Sequence, residues 1–260
     1  MATHYFEHEP VLASSRPPRA RCTIVTGASS NHFHCLRNLL VTVRHSCPDA
    51  VVVVYDLGLS GDEASEIGST GVELRRFDFA RYPEYMNIAL NAGEYAWKPV
   101  IFHEVLEDFG SLVMWLDAGN LVVRDLTLVW LWIRRYGILT PHSAGDLREW
   151  THPKTLQHMN VPAEDLDKPN RNAALVGLNA DYPWARQLCL DWRNAALCRD
   201  CIAPQGSSRE NHRQDQALLS ILFYRYERQI QFAAIDQVGD ISIHNDDLSR
   251  ADVEQMLAYA

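Results

Sequence analysis

Leu112-Val-Met-Trp-Leu-Asp117-Ala-Gly-Asn-Leu-Val-Val123 is the stretch of sequence from which the fold can be argued. Its five leading apolar residues predict a strand buried on both faces, as in a parallel sheet covered by helices. The carboxylate of Asp117 follows that strand directly. Because burying an unpartnered carboxylate is costly, Asp117 should meet a metal, a donor group or solvent at the carboxyl end of the strand. In open α/β sheets this edge forms the binding crevice.

Apolar runs and helical periodicities alternate on both sides of this stretch, which predicts an α/β fold with a mostly parallel central sheet and helices on both faces. The predicted strands are Cys22–Thr26, Val51–Tyr55, Val72–Leu74, Ala174–Leu178 and Ile241–Ile243. The predicted helices are Phe33–Val43, a short helix that begins with the capping box Ser60-Gly-Asp-Glu63, Pro99–Phe109, Leu126–Tyr136, Trp184–Leu197 and Asp215–Tyr226.

The segment from Thr140 to Arg171 departs from this alternation. It is rich in His, Pro, Asp and Asn and has weak periodicity. We expect a long irregular segment around one short helix. Loops of this length in compact domains often bind substrate, so this segment is expected to face the acceptor.

Length and composition limit the class of protein. The 260 residues are 47% hydrophobic, which is enough for one sizeable core and predicts one domain over residues 22–260. Residues 1–21 are polar and contain three prolines, so we expect a flexible lead without a signal peptide or a membrane anchor. The net charge of -9 and the presence of only three lysines make nucleic acid a poor partner.

The six cysteines lie mostly within apolar patterns, which is typical of buried thiols in a reducing cytoplasm. Cys198-Arg-Asp-Cys201 has the spacing of a redox or zinc pair. No second Cys/His pair lies at a zinc-finger distance from it, which favours a structural or surface role for both cysteines.

Thr26-Gly-Ala-Ser-Ser30 leads from the first predicted strand toward a helix, where parallel α/β folds bind phosphates or nucleosides. Short-chain dehydrogenases open similarly. Their glycine pattern does not continue into Asn31-His-Phe33, and no lysine has the tyrosine four residues before it that their catalytic pair requires. Two interpretations stay open: a nucleoside contact through Thr26, Gly27, Ala28, Ser29 and Asn31, and an ordinary strand-to-helix turn.

With its strand, its carboxylate and the run Leu121-Val-Val123, the Asp117 stretch resembles glycogenin-like GT-A glycosyltransferases. In that family an Asp-x-Asp motif follows such a strand and binds a divalent ion on the donor diphosphate. Asp117 matches the first aspartate. Gly119 stands where the second would be and supplies no ligand, so that Asn120 or a water would complete the shell of a hard cation.

Further segments resemble the same family in the same order along the chain. Lys98, in Tyr95-Ala-Trp-Lys-Pro99, stands where the family places a lysine near the donor. Asn172-Ala-Ala-Leu-Val-Gly-Leu-Asn179 is similar to the segment that contacts the donor sugar. Asp215 and Gln216 resemble the family's Asp-Gln pair at the head of a helix, although a helix start alone also favours an aspartate.

His244 follows the last predicted strand, where the family has a histidine that completes the metal shell; by itself a histidine at a strand end is more often structural. The stretches Trp97–Asp117 and Asn211–Gln216 are also similar to an uncharacterised group of unknown function that is thought to share the fold. That second resemblance implies no activity.

The resemblance implies a hexosyltransferase that uses a nucleotide diphosphate donor, expected to be a UDP-sugar, and an unknown glycan, protein or lipid-linked acceptor. Mn²⁺ or Mg²⁺ held by Asp117 and His244 would neutralise the leaving diphosphate. Lys98 would contact the diphosphate or the donor sugar, and Asp215 and Gln216 would face the anomeric centre. The stereochemistry stays open. Two alternatives remain: a GT-A scaffold that binds a nucleotide sugar without turnover, and a nicotinamide-dependent oxidoreductase.

Overall fold

The structure of the protein is a computed structural model that describes residues 22–258. The predicted lead, residues 1–21, lies outside the described residues. None of the helices between residues 22 and 258 has the length and apolar character that crossing a bilayer requires.

Ten strands and ten α-helices follow one another along the described chain, joined by short 3-10 turns. In order they are β1 Cys22–Ala28, α1 Phe33–Ser46, β2 Val51–Asp56, α2 Gly61–Ser69, β3 Glu73–Arg76, α3 Trp97–Phe109, β4 Leu112–Leu116, β5 Leu121–Val122, α4 Thr127–Tyr136, β6 Ile138–Leu139, β7 His142–Asp146, α5 Leu147–Trp150, α6 Pro153–His158, β8 Pro169–Arg171, β9 Leu175–Asn179, α7 Pro183–Ala196, α8 Arg199–Ile202, α9 Gln214–Ile230, β10 Ile241–Ser242 and α10 Arg250–Ala258.

The central sheet has six strands in the order β3-β2-β1-β4-β9-β6. The first four run parallel, whereas β9 is antiparallel to β4, with Leu116 opposite Leu175 and Leu112 opposite Asn179. The prediction of a mostly parallel α/β sheet is confirmed. The carboxyl ends of β1, β2 and β4 therefore lie at one edge, and Asp117 follows β4 at that edge.

Alternate residues of the central strands serve two different cores. Val25, Val53 and Trp115 pack on one face with α3, α7 and α9. Their neighbours in sequence pack on the other face with α1 and α4. Because successive side chains of a strand point to opposite faces, a strand covered on both sides must be apolar at each position. This is why the predicted strands at β2 and β4 are unbroken apolar runs.

Two small sheets extend this framework. β10 pairs antiparallel with β5, with Ile241 opposite Val122, so the C-terminal part of the chain returns to the turn after β4. β7 pairs antiparallel with β8.

The segment from Thr140 to Arg171 is more regular than the sequence predicts. Instead of one short helix it contains two, α5 and α6, between the strands of the β7–β8 ribbon. Side chains of Asp146 and His152 cap these helices by accepting hydrogen bonds from the backbone N–H groups of Glu149 and Lys154. Helices of four and six residues are too short to show an apolar period, and capping residues hold them instead.

Candidate active site

A buried lysine joins two carboxylates at the carboxyl edge of β4. The Nζ atom of Lys98 lies 2.9 Å from Oδ1 of Asp117 and 3.1 Å from Oδ2 of Asp215. It also donates a hydrogen bond to the Ala173 carbonyl at 3.3 Å. We call Asp117, Lys98 and Asp215 the charged cluster. The fold thereby brings together residues that are far apart in sequence, since 117 positions separate Lys98 from Asp215.

Each member of the charged cluster is positioned by the end of a regular element. Asp117 is the first residue after β4, and Nε1 of Trp115 donates a 2.6 Å hydrogen bond to its Oδ1. Lys98 is the second residue of α3, and Asp215 is the second residue of α9. An aspartate in the first turn of a helix interacts favourably with the helix dipole, which helps to hold Asp215 ionised.

The three side chains differ in their access to solvent. Those of Lys98 and Asp215 are 4% and 6% exposed, whereas that of Asp117 is 32% exposed. Burial raises the pKa of Asp215 to about 6, although the Lys98 charge opposes this. Burial alone would lower the pKa of Lys98, but the two carboxylates outweigh it and raise that pKa above its ordinary value. At neutral pH the lysine is therefore charged, and Asp117 is the member that a ligand from solvent can reach.

The chain enters α3 through five consecutive residues with positive φ, Asn91 to Tyr95, with φ angles between 47° and 62°. Left-handed backbone is unfavourable for L-residues by roughly 1–2 kcal/mol each. A Cβ on Gly93 would lie 2.9 Å from the carbonyl carbon of Met86, so only glycine fits there. Nε2 of Gln214 donates to Oε2 of Glu94 at 3.3 Å and connects this turn to α9. Backbone strain therefore stands directly beside the charged cluster, as is common at functional sites.

The loop after β10 covers the turn that carries Asp117. The backbone N–H of Asn245 donates to the Gly119 carbonyl at 2.7 Å. A Cβ on Gly119 would lie 2.9 Å from the carboxyl carbon of Asp246, and closer still to one of its oxygens. Any side chain at position 119 would therefore have to displace Asp246. Asp246 belongs to no recognisable motif, and its only signal in the sequence is its place two residues after His244.

His244 lies on the same loop, is exposed, and has a φ of 63°. Between residues 22 and 258, His244 and Asp117 do not belong to any group of three His, Cys, Asp or Glu ligand atoms that lie within 4.8 Å of one another. An ion shared by His244 and Asp117 stays a prediction. The antiparallel pairing of β10 with β5 brings their two loops together across a long stretch of sequence.

Two further predicted site residues differ in their position: Gln216 follows Asp215 in the first turn of α9, whereas Asn179 lies away from the charged cluster. Asn179 pairs with Leu112, at the start of β4 rather than at its end, which places it about 16 Å along the strand from Asp117. Nδ2 of Asn179 donates a hydrogen bond to the Arg134 carbonyl, and Oδ1 accepts one from the backbone N–H of Asp181. The structure therefore does not bring Asn179 to the charged cluster. Gln216 is half-buried and donates to Ser143 of β7 at 3.4 Å.

The turn after β1 is shorter than predicted, because β1 continues through Gly27 and Ala28. Thr26 and Ala28 are buried within the sheet and do not face a ligand from the turn. Ser29 and Asn31 remain at the carboxyl edge, where the Ser29 hydroxyl donates to Oδ1 of Asn31 at 2.6 Å. The exposed part of the predicted nucleoside contact is thus limited to residues 29–31.

Two surface hollows lie apart from the charged cluster. One of about 320 Å³ is lined by His142, Asp236 and Ile243 and adjoins the loop that carries His244. Another of about 420 Å³ is lined by Tyr182 and Trp184, which follow the end of β9 that lies beside the start of β4. The first hollow is also lined by Ile241 of β10, which pairs with β5 shortly after Asp117.

Comparisons with known proteins give a fold but no curated relative. The family described as "Protein of unknown function (DUF1647)" matches residues 9–103, which is less than half of the chain. It overlaps the start of α3, including Lys98, and agrees with the resemblance to an uncharacterised group. No curated protein matches the chain in sequence.

Solved structures of glycosyltransferases are similar over most of the chain. The galactosyltransferase LgtC in complex with donor and acceptor sugar analogs is 17% identical with a TM-score of 0.53, covering 91% of this chain and 95% of that one. An active-site mutant of LgtC gives 18% identity and a TM-score of 0.51 at the same coverage. The apo bifunctional glycosyltransferase WbbM is 15% identical with a TM-score of 0.52; 95% of this chain matches 45% of that protein. The chain therefore has the fold of the GT-A glycosyltransferases.

Proposed function

We propose that this protein transfers a sugar from a nucleotide diphosphate donor to an acceptor hydroxyl, at the carboxyl edge of β4. The observation that carries the proposal is the buried Lys98 ammonium between the carboxylates of Asp117 and Asp215. Burying the charged groups of Lys98 and Asp215 is costly, and shifted pKa values of this kind concentrate at functional sites. The fold also supports the proposal, because solved proteins of this architecture include glycosyltransferases.

The charge of the cluster suits glycosyl transfer. Because the pKa of Asp215, about 6, lies below neutral pH, two carboxylates face one ammonium and leave one negative charge. Positive charge develops at the anomeric carbon as the diphosphate leaves, and a fixed negative charge in a poorly solvated site stabilises it. Asp117 would contact the donor directly. Asp215 would act through its ion pair with Lys98, since the Asp215 side chain is only 6% exposed.

The residues near Gly119 offer the oxygen ligands that a hard divalent cation takes. Their side chains would have to close around it, because Asp117, Asp246 and His244 are not among the described groups of three ligand atoms that lie within 4.8 Å of one another. Asp117 keeps Oδ2 outside its contacts with Lys98 and Trp115, and the Asp246 carboxylate occupies the space of the side chain that Gly119 lacks. Oδ1 of Asn120 is buried and has no hydrogen-bond partner in the described chain. We propose that Asp117, Asp246 and His244 would hold Mg²⁺ or Mn²⁺, which prefer carboxylate oxygen. When bound, the ion would neutralise charge on the departing diphosphate.

The acceptor and the nucleoside part of the donor would lie on opposite sides of the proposed cation site. The exposed turn at residues 29–31 is at the same edge of the sheet and would take the nucleoside. The hollow lined by His142 and Ile243 would take the acceptor. The LgtC structure, which contains donor and acceptor sugar analogs, is a protein of this fold that holds both substrates together.

The experiment that tests the proposal separates binding from turnover. Thermal unfolding of the purified protein is measured with UDP and other nucleoside diphosphates, with and without Mn²⁺, and release of diphosphate is measured with a panel of nucleotide sugars. A ligand that binds only the folded state raises the melting temperature. We expect Asp117→Asn to weaken the nucleotide-dependent shift. We expect Asp215→Asn to keep that shift and to lower turnover at least about 100-fold, as for a group that acts in the transition state.

The matched control is Asp181→Asn, which changes an exposed aspartate beyond the far end of β9 and should leave both measurements unchanged. Binding without turnover of any nucleotide sugar would make the chain a binding protein rather than an enzyme. Failure of every nucleoside diphosphate to shift the melting temperature would contradict the proposal altogether.

A further inference from the structure

Three ligand-type side chains meet far from the charged cluster, at the junction of two short helices. His158 is the last residue of α6, Cys198 is the N-cap of α8, and Cys201 lies within α8. Their imidazole nitrogen and two sulfur atoms all lie within 4.8 Å of one another. In the part of the chain that the structure describes, this is the one group of three such ligand atoms at this spacing.

The separation of His158 and Cys198 matches that of two ligands in a tetrahedral zinc site. Zinc lies about 2.3 Å from thiolate sulfur and about 2.0–2.1 Å from imidazole nitrogen. With tetrahedral angles these bonds separate a sulfur from a nitrogen by about 3.6 Å and two sulfurs by about 3.8 Å. Sγ of Cys198 lies 3.6 Å from Nε2 of His158. An ion could therefore bind without a change in the position of the ring relative to that sulfur.

The backbone that carries the three ligands is held in place by other contacts. The hydroxyl of Thr155, in α6, donates to the Cys201 carbonyl at 2.8 Å. Lys154, also in α6, donates from Nζ to the Gln205 carbonyl at 3.0 Å. Cys201 is buried, Cys198 is half-buried and His158 is exposed, so the group opens to solvent on one side. Preformed geometry of this kind lowers the ordering that an ion must impose.

The chemistry of the ligands selects the metal. Thiolate and imidazole ligands favour Zn²⁺ over Mg²⁺, Ca²⁺ or Mn²⁺, which take oxygen. The alternative for a Cys-x-x-Cys pair is redox exchange, which needs only the two cysteines. Here the Nε2 atom of His158 lies 3.6 Å from Sγ of Cys198, and all three ligand atoms lie within 4.8 Å of one another. A third ligand atom at this spacing favours metal binding.

We propose that His158, Cys198 and Cys201 form a zinc-binding site with three protein ligands and an open fourth position that water fills. The site ties the end of α6 to α8. It fixes the segment between β7 and β8, because α6 belongs to that segment and α8 packs against the core that contains α9. Each bound ion replaces the protons of two thiols, which pass to solvent. The sequence showed the cysteine pair, but His158 lies 40 positions earlier on another element.

The test uses the full chain, purified under reducing conditions and stripped of metal with a chelator. Zinc is added, excess is removed by gel filtration, and the bound ion is counted by elemental mass spectrometry. Co²⁺ serves as a second probe, since a thiolate site gives charge-transfer and tetrahedral d–d absorption that an oxygen site does not. We expect one zinc per chain, a tetrahedral thiolate spectrum with Co²⁺, and a higher melting temperature with zinc.

His158→Gln changes an exposed residue and Cys198→Ser a half-buried one, so both variants should fold. We expect each to lower zinc affinity by at least about 100-fold, since losing even an outer partner of a ligand costs 10–100-fold. Cys47→Ser, a half-buried cysteine at the end of α1, is the matched control and should bind zinc normally. Unchanged affinity in both ligand variants would overturn the proposal. So would a reduced protein that binds no zinc and whose two cysteines instead form a disulfide on exposure to air.

Discussion

Replacing Lys98 with methionine should test whether the charged cluster is held by its central cation. Methionine keeps most of the length of the side chain and removes the ammonium that lies 2.9 Å and 3.1 Å from two carboxylate oxygens. Asp117 can turn to water, since its side chain is 32% exposed. Asp215 cannot, because its side chain is 6% exposed. The substitution therefore leaves a buried carboxylate without its counter-ion.

The size of the effect follows from these distances. At about 3 Å and an effective dielectric constant near 20, each ion pair contributes roughly 5–6 kcal/mol, against a desolvation cost of several kcal/mol for each ion. Removing one partner of such a buried pair typically lowers the free energy of unfolding by about 3–5 kcal/mol. We expect Lys98→Met to fall in that range. In the double variant with Asp215→Asn the loss should be smaller than the sum of the single losses by at least about 2 kcal/mol, because the stranded charge is gone.

Urea unfolding in metal-free buffer measures all four proteins of the cycle, with linear extrapolation to water. Arg148→Met is the control: it breaks an ion pair with Asp167 whose side chains are 59% and 78% exposed, and should change stability by less than about 1 kcal/mol. Losses for Lys98→Met and Asp215→Asn that add to within about 0.5 kcal/mol would refute the reasoning, since independent sites behave in that way.

Two further predictions concern Asp165 and Gly119. Burial would raise the pKa of Asp165, but hydrogen bonds from Arg228 and Lys168 lower it below its ordinary value. Because the folded pKa is the lower one, this stabilisation is full above about pH 4 and is lost as the pH falls further. Asp165→Asn should thus cost about 2–3 kcal/mol at pH 7 and progressively less below pH 4; a constant difference in urea unfolding between pH 7 and 3 would contradict this. Gly119→Ala should lower stability by about 0.5–1 kcal/mol, because the added methyl group displaces the Asp246 carboxylate, which is exposed and can turn away, with recovery in the double variant with Asp246→Ala. Equal thermal stability of the single and double variants would contradict the overlap.

The central fold could be predicted because burial leaves a direct mark on the sequence. Strands β1, β2, β4 and β9 are covered on both faces; β4 is an unbroken apolar run, and the other three are mostly apolar. The capping box at Ser60 and Glu63 likewise appears in the structure with both of its hydrogen bonds. The predicted strand at Ile241–Ile243 is present as β10, whereas β5 and β6 have two residues each, which is too short for any period to show. α8 and α10 were missed for related reasons: one has four residues, and the other buries only Val253.

Residues of the candidate site were predictable where they lie at the end or the start of a recognisable element. They were less predictable where their position depends on the pairing between strands. Asp117 follows strand β4, Asp215 lies in the first turn of α9, and both are at the carboxyl edge. Asn179 was assigned to the same site because its segment resembles a donor-contacting one. The direction of β9 could not be seen in the sequence, and its antiparallel pairing with β4 carries Asn179 to the opposite edge while it brings Ala174 beside Asp117.

Gly119 shows how the absence of a motif residue can be misread. From the sequence, a glycine in place of a second aspartate removes a ligand and points toward a scaffold without activity. In the folded chain the same glycine makes room, since the carboxylate of Asp246 occupies the volume that a side chain at position 119 would need. A carboxylate at this point can thus come from the loop after β10 instead of from the turn after β4. The glycine at position 119 is therefore no argument against a cation here. The carboxylate on which a cation at this point would depend is that of Asp246.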